Sequence, residues 1–270
     1  MSKRLLALAA LAAASVSAQA AIQLTDGNLS YSQDFNTLAS SGTTAVTWLN
    51  DSTLQGWSLF NSTGAAITSY IVSTGASNTG SFASFGAAGS TDRALGGLAS
   101  GGSYFGSPAS GAVAGYMAVA FTNSSSSTFD SFTLSFDGEQ WRNGGNTSAQ
   151  PMVLQYGFGS SFATVGSWTT AGSSFNWSSP VTGATAAAVD GNAAGHVAVA
   201  GGTISGLNWS SGQTLWIRWV ENNDVGNDHG LAIDNVSLSV TSAVPEPSSY
   251  ALMLAGLGTV GLIVRRRRQR

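Results

Sequence analysis

The chain has 270 residues, enough for one β-domain with a sizeable core. Only 9% of them are charged, 34 are Gly and none is Cys, which excludes a disulfide scaffold. Lys3, Arg4 and five arginines from Arg265 to Arg270 lie near the ends, so positions 21–243 keep Arg93, Arg142 and Arg218 against twelve acids; that net charge of −9 excludes a phosphate-neutralising nucleic-acid surface.

In chain order, Lys3 and Arg4 open a basic segment, and residues 5–14 form an apolar helical run. Ala18-Gln19-Ala20 supplies a small-x-small cleavage site. The three parts read as a signal peptide over residues 1–20, cut by signal peptidase before Ala21. Eight Trp, twelve Phe and six Tyr then argue against disorder. Between Gly, Ser and Asn turns, β-type runs recur at 45–48, 57–60, 67–73, 81–85, 115–121, 131–136, 152–158, 163–168, 197–200, 214–220 and 230–240. In 214–220, Leu215, Ile217 and Trp219 share one face, while Trp216 and Val220 flank Arg218 on the other. Two largely apolar faces predict a central strand. Gly96-Gly97 reads as a turn, 124–127 as a loop tip, and alanine-rich 184–194 as a site for one short helix. Strands at this spacing predict an all-β, jelly-roll-like antiparallel β-sandwich over residues 21–243.

Residues 244–270 end the chain in three parts: Pro245-Glu246-Pro247, an uncharged run over 250–264, and the cluster Arg265-Arg266-Arg267-Arg268. The run predicts a short transmembrane helix, below the comfortable ~20-residue span, with the arginines on the cytoplasmic side. The prolines predict an extended stretch that a processing enzyme can grip. This pattern resembles the PEP-CTERM sorting signal, also described as the C-terminal tail of some ice-binding proteins. The resemblance implies processing by an exosortase-type transpeptidase of a Gram-negative bacterium that makes exopolysaccharide. It implies cutting near the Pro-Glu-Pro motif and membrane contact through the tail before processing. Ice binding does not follow from it.

The blocks 32–38, 138–146 and 226–236 resemble a jelly-roll-like module of bacterial extracellular proteins. That module occurs alone before such tails and also ahead of catalytic domains. In the last strand, Asp234 is in phase with Val236, Leu238 and Val240, which predicts an inward carboxylate needing a partner. An Asp there is similar to one that, in several carbohydrate-binding jelly rolls, holds structural Ca²⁺ with a first-strand acid. Asp34 and Asn36 are the matching residues, and a turn-capping role for Asp234 stays open beside it.

Several other groups carry chemistry. Residues 221–230 concentrate oxygen ligands without EF-hand spacing and read as a solvated turn or a ligand loop. His196 and His229 show no zinc spacing, and His229 reads as a surface residue. Trp141, Arg142 and Asn143 offer the ring face and planar donors of a sugar site, or else an edge strand with a core Trp and an Asn143-Gly144 hairpin. Glu139 and Glu221 are the two glutamates before the tail. Together they would serve a glycoside hydrolase, the alternative to a non-catalytic surface protein associated with exopolysaccharide or biofilm.

Overall fold

The structure is a computed structural model that describes residues 21–242. The signal-peptide residues Ala18 and Ala20, the Pro-Glu-Pro motif, the expected tail helix and the arginine cluster lie outside the described residues. Strands and three single-turn 3₁₀ segments, Ser103–Phe105, Phe162–Thr164 and Ser173–Phe175, make up the regular structure. The all-β expectation holds.

Seven strands form one sheet: β1 Ile22–Leu24, β4 Trp57–Asn61, β8 Ala112–Asn123, β10 Pro151–Phe158, β11 Thr169–Thr170, β12 Trp177–Ser178 and β15 Thr214–Asn223. Nine form the other: β2 Ser30–Gln33, β3 Val46–Thr47, β5 Ser69–Ser73, β6 Ser81–Phe85, β7 Ala94–Leu98, β9 Phe129–Asn143, β13 Ala187–Ala188, β14 His196–Ile204 and β16 Gly230–Ser242. The long ladders are antiparallel, while β1 runs parallel to β8 and β5 parallel to β6. As predicted, β15 is central, between β8 and β10.

Alternation drives the packing. Leu215, Ile217 and Trp219 of β15 meet Phe132, Leu134 and Phe136 of β9 and Ile233, Val236 and Leu238 of β16 in one core between the sheets. Trp219 stacks on Trp57 at 5.6 Å, and Phe136 meets Trp219 edge-on at 5.5 Å. The Trp57 indole N–H donates to the Tyr31 hydroxyl at 2.8 Å, satisfying a polar group inside the core. Two smaller clusters lie on the outer faces: Phe60, Phe162 and Trp216 on the seven-stranded sheet, and Phe85, Trp141 and Ala232 on the nine-stranded one.

Register fixes two poles. Ser242 lies opposite Phe129 and Leu24 opposite Asn123, so both ends of the described chain flank the 124–128 turn. Asn223 lies opposite Ala112 and Gly230 opposite Arg142, so the 224–229 loop sits at the far pole.

Several expectations are corrected. Gly96 and Gly97 are not a turn but lie inside β7. A methyl group on Gly96 would overlap the Leu231 carbonyl and the Ala232 side chain, so close strand approach, not chain reversal, requires glycine. Segment 184–194 holds the two-residue β13 and a turn, not a helix; Gly183, Asp190 and Gly191 around a short alanine run favour bends. Segment 163–168 is not a strand but a 3₁₀ turn and loop, set by the capping box of Ser161 and Thr164. Asn143-Gly144 makes no hairpin: β9 is an interior strand and the chain crosses there to the other sheet.

Candidate functional site

The far pole carries a polar cleft of about 390 Å³. Its walls include Ser100 and Gly101 after β7, Arg142 of β9, Asn223 of β15, and Asn227 and Asp228 of the loop. Side-chain amides hold that loop in place. Asn146 Nδ2 donates to the Val225 and Asn227 carbonyls, each at 3.0 Å, and Gln150 Nε2 donates to the Asn227 carbonyl at 2.8 Å. Asp228 Oδ1 accepts the Asp224 amide at 2.6 Å. A cleft walled by fixed polar groups is preorganised, which lowers the ordering cost of binding.

Arg142 reaches into this cleft from the sequence-predicted sugar site, and its Nη1 donates to the carbonyls of Gly75 and Ala76, each at 3.0 Å. Trp141 and Asn143 do not line the cleft. Trp141 is buried against Phe85, and its indole donates to Glu139 Oε2 at 2.8 Å. Asn143 is buried and donates to the carbonyls of Gly183 and Thr185, both at 3.1 Å.

Beneath the cleft floor lies Glu221, fully buried, with Oε2 lacking a hydrogen-bond partner. Burial, with smaller contributions from Asp228 and Asp224, pushes its carboxyl well above the usual range, and the Ala99 amide partly offsets this. Burial likewise pushes Asp228 up to about 7. The cleft therefore holds less negative charge at neutral pH than its residue list implies.

His229 is not a surface residue. It is 1% exposed, with Nδ1 2.8 Å from Ser179 Oγ and Nε2 3.3 Å from the Asn146 carbonyl. A carbonyl only accepts, so Nε2 carries the proton, and burial lowers the ring's pKa. Gln140 and Gln150 complete this buried network. Sequence reasoning missed Asn146 and Gln150; the density of amides around Gly144 and Gly145 was the available signal.

Asp234 is also placed differently. Asn235 adopts φ +49° and the β16–β9 register shifts between Asp234 and Ser237. This bulge breaks the alternation, so Leu231 and Ile233 face the core before it and Val236, Leu238 and Val240 after it. Asp234 falls on the opposite face with Ala232, yet is 2% exposed. Burial first, then Glu139, Asp92 and Asp137, pushes it up to about 8. Glu139, on the same face, is pushed up to about 7, chiefly by burial. His196 Nε2 lies 3.1 Å from Asp137 Oδ1 at this rim.

Asp34 is exposed and its Oδ1 accepts the Asn36 amide at 3.2 Å; Asn36 Oδ1 accepts the Arg93 amide at 2.8 Å. Asp34 is absent from the charges acting on Asp234. Among the described residues no three His, Cys, Asp or Glu side chains converge as metal ligands. Glu139 and Glu221 are not brought together: Glu139 lies on the outer face of the nine-stranded sheet, Glu221 between the sheets against Gly97.

No helix among the described residues is long and apolar enough to cross a membrane. Comparison with curated proteins gives no match. Residues 243–268 match the PEP-CTERM protein-sorting motif, which supports export, processing by an exosortase-type enzyme, and delivery to the cell envelope or surface.

Proposed function

We propose that this chain is a non-catalytic surface protein of a Gram-negative envelope or matrix. On a jelly-roll-like frame it holds neutral exopolysaccharide in the far-pole cleft and so contributes to biofilm. The carrying observation is the cleft itself: fixed amides, a hydroxyl, a guanidinium and a carboxyl pushed up to about 7, at the pole opposite Ser242. Planar polar groups of this kind match sugar hydroxyls. Asp228 on the cleft wall, with Asp224 beside it, disfavours a polyanion there.

Binding of dextran, glucomannan and galactan to the exported, processed protein tests this. At least one is expected to bind and to weaken on Asp228→Ala; silence from all three overturns the reading. Sugar release abolished by Glu139→Gln would replace it with a hydrolase. Structural Ca²⁺ at Asp34, Asn36 and Asp234 is no part of it, so EDTA is expected to leave the melting midpoint unchanged. A drop would restore calcium at that edge.

A further inference from the structure

The outer face of the seven-stranded sheet carries an arginine held between two rings. Arg218 Cζ lies 3.8 Å from the Trp168 ring centre and 4.0 Å from that of Tyr116. Gln155, directly opposite on β10, accepts from Nε at 2.8 Å and Nη2 at 2.6 Å through the same oxygen. Phe162 packs under both rings and stacks on Phe60 at 3.9 Å, which fixes the 162–168 loop on the sheet. The arrangement is rigid and built from five separate segments.

Three observations point to a ligand. Tyr116 and Trp168 are only half-buried. The Trp168 indole N–H makes no hydrogen bond within the described residues and is open to solvent. The groups acting on the Arg218 charge are Tyr116 and burial, with no carboxylate among them. Gln155 uses two of the five guanidinium N–H groups. Arg218 is 9% exposed and leans on Tyr116, Trp168 and Gln155. A guanidinium without a carboxylate partner, edged by a half-buried aromatic surface, calls for an acceptor-rich anion carried on a flat, C–H-bearing ring.

We propose that this face binds a uronic-acid unit of an extracellular polysaccharide. The sugar carboxylate meets the outward edge of Arg218, the ring lies against Trp168, and a ring or hydroxyl oxygen accepts from the indole N–H. The domain's net negative charge opposes this only at long range, because salt screens beyond ~10 Å at 0.1 M. The proposal shares with the cleft only the glycan class. It uses different residues on a different face.

Polygalacturonate titrated into the exported, processed protein in saturating dextran tests it. Trp168→Ala is expected to weaken binding about tenfold, Trp168→Phe to recover most of the loss, and Arg218→Gln to weaken binding at least as much as Trp168→Ala. Asp228→Ala is expected to leave polygalacturonate binding unchanged, since it touches only the dextran arm. Absence of polygalacturonate binding, or equal binding by Trp168→Ala, overturns the proposal whatever dextran does. Trp168 lies on a loop, so that variant stays informative even where Arg218→Gln destabilises the sheet.

Discussion

A carboxyl 2% exposed, as Glu139 and Asp234 both are, loses the water that would stabilise its charge. These two occupy one sheet face, where Glu139, Asp92 and Asp137 add to Asp234's cost of ionising and Asp92 and Asp137 add to Glu139's. Glu139 moves from 4.5 to about 7 and Asp234 from 3.8 to about 8. The unfolded chain loses these protons first, so between the two sets of values the folded state binds more protons. Stability then falls as pH rises from about 4 to about 8 and levels above that. Melting is expected to be several degrees higher at pH 5 than at pH 8, using roughly 2–4 °C per kcal/mol for a domain of this size. Asp234→Asn and Glu139→Gln should each flatten the slope; a slope unchanged in both variants would place the titrating group elsewhere. Glu221, raised by its burial, contributes in the same direction.

At the scale of the strand, β16 changes face at Asn235. A β-branched residue there would strain a left-handed backbone, whereas Gly adopts it freely. Asn235→Val is expected to lower stability by about 1–3 kcal/mol and Asn235→Gly by much less, read as a shift in urea midpoint. The same strand explains what sequence reading could reach. Period-two patterning in 214–220 located β15 and its core face, because alternation is a local property. It misplaced Asp234 because one left-handed residue inverts every face that follows, and Asn is permitted at many turns without a bulge. Gly96 and Gly97 read as a turn for a similar reason: the need for glycine comes from Leu231, Ala232 and Glu221, distant in sequence. Gly96→Val is accordingly expected to cost at least 2 kcal/mol through overlap with the β16 backbone. The cleft and the Arg218 face were illegible because each gathers side chains from segments that only the fold brings together. Arg218 itself was legible as the odd residue on an apolar strand face, but its partners Gln155 and Trp168 were not.

The two poles give the molecule a direction. β16 carries the chain from the cleft at Gly230 to Ser242 over thirteen residues, roughly 40 Å at strand rise. Seven residues then separate Ser242 from Tyr250, where the apolar run begins, and they bridge at most roughly 25 Å. While the tail is intact and in a bilayer, the tether keeps the 124–128 turn near the lipid, and the 224–229 loop is expected to point away. The chain lacks cysteine, so single dyes can be placed cleanly at each pole. Ser126→Cys and Val225→Cys are exposed sites whose side chains lie outside the core and the buried networks, Val225 being 76% exposed. In cells without an exosortase, energy transfer to a membrane dye is expected to be strong from position 126 and weak from position 225. Restoring the enzyme is expected to abolish transfer from both, as processing that removes the tail would free the domain from that membrane. Equal transfer from the two positions before processing would mean that the domain lies on its side against the membrane. The cleft and the Arg218 face could not then both be presented to an extracellular polysaccharide.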